Sequence, residues 1–227
     1  MPESDVICQI AQQTLVAPDS RGSCDNWLWD RTQRIVRNVE CICRLPELAE
    51  QAIALERSCL VTAAYFCSCG LRNSAADKNT ADINDADVCH LSAKIASEKL
   101  TGILTETQIN KANRIIIESS NRFTDMTEAM ILSDGRNLED MGAVGLLGEL
   151  QHHIANGKSI SDILENWKCK IEYGYWQARL KESFRYDSVR RMAARRFDVM
   201  EHFMAQLAAE NTPCDFEKQL LNTSEKK

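Results

Sequence analysis

From Asp187 to Glu210 the large apolar side chains Val189, Met192, Phe197, Met200, Phe203, Met204 and Leu207 recur at helical spacing. That spacing draws one face of an α-helix, and the same period runs along nearly the whole 227-residue chain. Nowhere does apolar and polar alternation run between turn residues, so no strand is predicted. The fold class is therefore all-α, a single-domain multi-helix bundle. Helices are expected at 4–16, 25–45, 46–70, 85–101, 105–121, 125–134, 138–156, 159–183 and 187–210. Thr105 with Gln108 has capping-box spacing, and Asp125 with Glu128 offers a similar acidic start. The polar stretch 71–87 reads as a surface loop. The domain is expected to span 1–212, with 213–227 a tail that frays or docks loosely.

A hydrophobic content of 44% is enough for a sizeable core, and a net charge of -6 argues against a protein that lives on phosphate contacts with nucleic acid. The N-terminal segment has acidic residues where a signal peptide would be basic, and no apolar run approaches the ~18 residues of a bilayer span. A cytoplasmic protein without a membrane partner is the expectation. The ten cysteines then read as reduced thiols that pack as small apolar side chains.

Cys41 and Cys43, like Cys67 and Cys69, are two residues apart. On a helix such residues point apart by about 200° and cannot chelate one ion. The histidines His90, His152, His153 and His202 show no H-x₃-H or H-E-x-x-H spacing. His90, at a helix start, is the one to watch. Five arginines between 185 and 196 form a solvated face or grip a phosphate or an acidic partner.

The segment "EAMILSDGRNLEDMGAVGLLGEL", 128–150, is the most informative: an apolar helix delivers Asp134 beside Gly135. "ILSDGRNLEDMGAVGL" resembles the stretch that carries the last metal-ligating aspartate in the HD-domain superfamily of metal-dependent phosphohydrolases. "NWLWDRTQRIVRNVECI" looks like that family's first motif helix, and "TAAYFCSCGL" looks like its "AALFHDAG" signature. The closing "WQARLKESFRYDSVRRMAARRFDVMEHFMAQLAAE" is similar to the long final helices of one bacterial branch. Order and spacing agree from about residue 25 to 210.

In that family a histidine from the first helix, an adjacent His-Asp pair and a distant aspartate hold a divalent ion that activates water against a phosphoester. The matching positions here are Arg31, Cys67, Ser68 and Asp134. Arginine has no lone pair to donate, and serine is a poor ligand beside the carboxylate it replaces. The resemblance thus implies a degenerate member with an eroded metal site, catalytically inactive, without a cofactor and retained for binding or regulation. On this reading Arg31 pairs directly with Asp134 where the ion would stand. His90, Arg136, Arg190 and Arg191 are the candidates for touching a ligand. Partners open to such a protein are a small phosphorylated ligand, a protein or a second copy of the chain.

A rival reading is an active phosphohydrolase using Mn, Mg or Zn in a site rebuilt from His90, Asp134 and Cys67 with help from His152 or His153. A third is a thiol sensor built on Cys67 and Cys69.

Overall fold

A computed structural model describes residues 3–18, 24–49, 55–76 and 84–212. The chain divides into two compact units, Met1–Glu139 and Asp140–Lys227. Among the described residues the protein is helical apart from one antiparallel pair of two-residue strands, β1 (Ala17–Pro18) and β2 (Cys24–Asp25), which periodicity does not register.

The first unit holds α1 (Glu3–Leu15), α2 (Trp27–Ile42), α3 (Pro46–Ala49), α4 (Arg57–Phe66), α5 (Cys69–Ala76), α6 (Asp85–Leu100), α7 (Glu106–Glu118) and α8 (Thr127–Glu139). Its centre is α4, which packs against α1, α2, α6, α7 and α8. Leu60, Ala63, Ala64 and Phe66 on α4 are fully buried. Burying Leu60 and Phe66 contributes about 1.5–3 kcal/mol each. The helix expected over 46–70 is therefore not one rod: α4 ends at Phe66, Cys67 and Ser68 make a turn, and α5 starts anew at Cys69. The loop expected at 71–87 is helical as far as Ala76, and Asn84 caps α6 by accepting from the Asp87 N–H at 2.9 Å. Residues 77–83 and the tail 213–227 lie outside the described residues.

The capping box at Thr105 forms as expected, with the Gln108 side chain accepting from the Thr105 N–H at 2.9 Å. At α8 the acidic start works differently. Glu128 is buried and pairs with Lys111 of α7 at 3.1 Å, so it ties two helices together.

Two glycines let helices approach closely in this unit. A Cβ on Gly135 of α8 would lie 2.9 Å from Val39 Cγ2 of α2, and Asn38 Nδ2 donates to the Gly135 carbonyl at 3.1 Å. A Cβ on Gly70 would sit 2.5 Å from the Val88 carbonyl oxygen of α6, where the Gly70 N–H also donates to Ser92 Oγ at 2.8 Å. Backbone cannot yield as a flexible side chain does. Gly70→Ala is expected to cost about 2–3 kcal/mol, although alanine normally gains about 1 kcal/mol over glycine within a helix. A denaturant midpoint equal to or above that of the natural protein would contradict this close approach.

The second unit holds α9 (Gly142–Ala155), α10 (Ile160–Glu172), α11 (Tyr175–Glu182) and α12 (Asp187–Asn211). The single helix expected over 159–183 breaks at Gly174, whose φ of +66° lies in the left-handed region that glycine adopts freely. Likewise α8 runs on to Glu139 and the break falls at Asp140–Met141, before Gly142 at φ +89°. Trp176 is buried against Trp167 and Phe197, with ring centres 5.5 and 5.7 Å away. On α12 the buried row is Val189, Ala193, Phe197, Met200 and Met204. Phe203 stays 43% exposed, because it lies a full 100° around the helix from Met204 and off the centre of the stripe.

Candidate functional site

The end of α4 is fastened from several sides. The Cys67 thiol donates to the Ala64 carbonyl at 3.3 Å, and Ser92 Oγ of α6 donates to the Cys67 carbonyl at 3.0 Å. Ser68 is buried beside it, its Oγ 3.7 Å from Cys67 Sγ. From α2, one helical turn past its start, Arg31 Nη1 donates to Ser68 Oγ at 3.0 Å. Residues 37 apart in sequence are thereby joined, one from each of two motifs that the resemblance pairs. Asp134 is completely buried on α8, the helix that packs against both α2 and α4.

Arg136, two residues further along α8, is a second guanidinium in this region. Its Nη1 donates to Ser119 Oγ at 3.0 Å and to Cys89 Sγ at 3.3 Å, and its Nη2 pairs with Asp85. Its buried Nε has no hydrogen-bond partner among the described residues. Burial works against the charged guanidinium, yet the neighbouring Cys89 and Asp85 outweigh it and raise the Arg136 pKa. Burial pushes the Cys67 thiol up as well, although Arg136 and Arg31 both pull it down. Cys69 is driven up by burial and by Cys67. A buried pair that resists ionisation is the opposite of a reactive thiol pair, which weakens the sensor reading.

His90 points to solvent on α6, while its neighbour Cys89 is buried and meets Arg136. Cys89, Ser119 and Asp85 were missed by motif reading. Helical spacing held the signal for one of them: Cys89, Ser92, Ala93 and Ala96 form the buried face of α6, and His90 falls outside it. Nothing in the sequence marks Ser119.

Arg190 and Arg191 belong to the second unit. Arg190 Nη2 donates to the Phe184 carbonyl at 2.8 Å, its Nη1 pairs with Asp187, and exposed Arg191 donates to Ser188 Oγ at 3.1 Å. These bonds hold the chain entering α12. In the same unit, His152 is exposed and His153 Nε2 lies 3.6 Å from Glu149.

No protein-family model matches the chain, and no curated protein matches it in sequence. Solved structures do. A predicted HD superfamily hydrolase from an uncultured Thermotogales bacterium superposes with a TM-score of 0.55 at 17% identity, over 92% of this chain and 93% of that one. Bacillus subtilis YpgQ, in its complex with ADP, gives a TM-score of 0.60 at 17% identity, over 94% of this chain and 98% of that one. The chain has the HD-domain fold.

That fold raises the question of a divalent ion. As a donor set the residues here fit one poorly: Arg31 offers no lone pair, the Ser68 hydroxyl is neutral and Cys67 holds its proton. Among the described residues, no three His, Cys, Asp or Glu side chains gather closely enough to hold a metal ion together. No helix of the described residues is long and apolar enough to cross a membrane.

Proposed function

We propose that this protein is a binding or regulatory HD-fold protein in which arginine stands where a phosphohydrolase keeps its metal. The observation that carries the reading is the bond from Arg31 to Ser68. It supports the correspondence of these two positions with the family's first histidine and its aspartate, and neither residue present can do that work for a cation. Arg31 is further proposed to pair with Asp134, so that a guanidinium balances the carboxylate in place of the ion. The ligand class that suits the region is a small phosphorylated molecule. The positive charges of Arg31 and Arg136 both act on the Cys67 thiol, and YpgQ, of the same fold, was crystallised with ADP.

The rival, a phosphohydrolase with a rebuilt site, needs His90 and Cys67 as ligands. His90 is exposed and Cys67 is held protonated by burial, which favours the binding reading. The protein is expected to hydrolyse p-nitrophenyl phosphate and ADP at background rate, with or without manganese, cobalt or zinc. It is expected to bind ADP in the presence of a chelator. Metal-dependent turnover that disappears in Asp134→Ala would establish the rival instead.

A further inference from the structure

In the second unit α9 and α12 lie side by side and run in the same direction. A Cβ on Gly142, at the start of α9, would meet Arg196 Cβ of α12 at 3.2 Å, and two turns later Leu150 of α9 and Met204 of α12 line one small gap. α10 flanks both helices from one side. Its Lys170 pairs with Glu149 of α9, and Glu201 and Ala205 of α12 share a groove with its Leu164 and Lys168. Two residues along a helix turn a side chain by about 200°, so Leu147 points away from Glu149 and Phe203 away from Glu201. On both helices that is the side remote from α10.

This remote side is apolar and open. Val144, Leu147 and Ile154 form one row on α9, Val199 and Phe203 another on α12, and all five are 43–63% exposed. Single exposed apolar residues are ordinary on a monomer, whereas five on two adjoining helices make the kind of patch that marks an interaction surface.

The charges along it select the occupant. On α12 the outward row reads Arg195, Val199, Phe203, Gln206 and Glu210: basic at one end, apolar in the middle and acidic at the other. Gln206 Nε2 donates to Glu210 Oε1 at 2.7 Å and holds the carboxylate in the row. On α9 the row Val144, Leu147, Gln151 and Ile154 carries no charge. Such a surface complements itself when turned end for end. A two-fold axis level with Phe203 sets Arg195 against Glu210 at both ends. Counted from Gly142 beside Arg196, position 149 of α9 is level with position 203, so the same axis sets Val144 against Ile154.

We propose that this face pairs with the same face of a second copy of the chain, antiparallel, in a layer of α9 and α12 from each. The row from Arg195 to Glu210 is about 22 Å long and two helices are about 20 Å wide. A footprint of that size suits a reversible dimer with a dissociation constant on the order of 10–100 µM.

Sedimentation velocity on the full chain from about 1 to 500 µM is expected to show a monomer–dimer equilibrium. Phe203→Glu and, separately, Leu147→Glu replace exposed side chains, so circular dichroism and Tm should hardly change, while dimerisation should weaken about tenfold or more as charge enters the apolar centre. Arg195→Glu and Glu210→Arg should each weaken self-association about fivefold. An equimolar mixture of those two variants should pair as well as the natural chain, because each repulsive contact becomes attractive in the mixed dimer. A chain that stays monomeric throughout, as it would if this face served a different partner, overturns the proposal. So does a dimer indifferent to both Phe203→Glu and Leu147→Glu, or a mixture of the charge-reversed chains that pairs no better than either alone.

Discussion

Changing Arg31 to His, Cys67 to His and Ser68 to Asp together is expected to create a divalent-metal site. With Asp134 the variant would carry two imidazoles and two carboxylates, a donor set that manganese or zinc accepts. Two observations favour it: α2 already brings position 31 within hydrogen-bond reach of position 68, and Asp134 is fully buried on a helix that packs against α2 and α4. Removing the guanidinium also removes the cation that would repel a metal. Binding to the folded state alone stabilises by mass action, about 2.7 kcal/mol when the metal stands at a hundred times its dissociation constant. For a protein of this size that corresponds to a rise in Tm of about 5–10 °C. The natural protein should show no such rise. Thermal melts of both proteins with a chelator and with added manganese read the difference directly, and a triple variant that folds but ignores the metal would show that these positions do not form a common site.

Much of this architecture can be read from helical periodicity. The start of α6 at Asp85 and the capping box of α7 follow from residues local to each helix. Breaks were harder to place where a continuous apolar period passes through them. Cys67 and Ser68 are small and neither is a glycine or proline, so the turn between α4 and α5 leaves no mark in the pattern. Gly174 is a visible break only once its positive φ is known, because glycine also occurs inside helices. At the candidate site, motif order proposes Arg31, Cys67, Ser68 and Asp134, and the structure joins Arg31 and Ser68 by a hydrogen bond. Partners of Arg136 could not be found that way. Asp85, Cys89 and Ser119 come from α6 and the end of α7, and only tertiary packing brings them to one guanidinium.

Arg31→Leu alone is expected to destabilise the protein by roughly 3 kcal/mol, and Arg31→Leu with Asp134→Leu by clearly less than the two single changes added together. The reason is the buried carboxylate. Asp134 has no exposure to solvent, so an ionised carboxylate there needs a partner within the fold, and the proposed partner is the guanidinium that bonds Ser68. Deleting one member of such a pair leaves the other charged and desolvated, at a cost of about 3–5 kcal/mol for a well-buried pair. Because Arg31 is only half-buried, water screens it in part and the lower end of that range applies. Deleting both removes the charge along with its counter-charge, and leucines restore apolar contact with α2 and α8. The coupling between the two changes should then be on the order of 2 kcal/mol in a double-mutant cycle read by denaturant unfolding. Effects that simply add, to within about 0.5 kcal/mol, would mean that other donors hold Asp134 and that arginine has not taken the place of the ion.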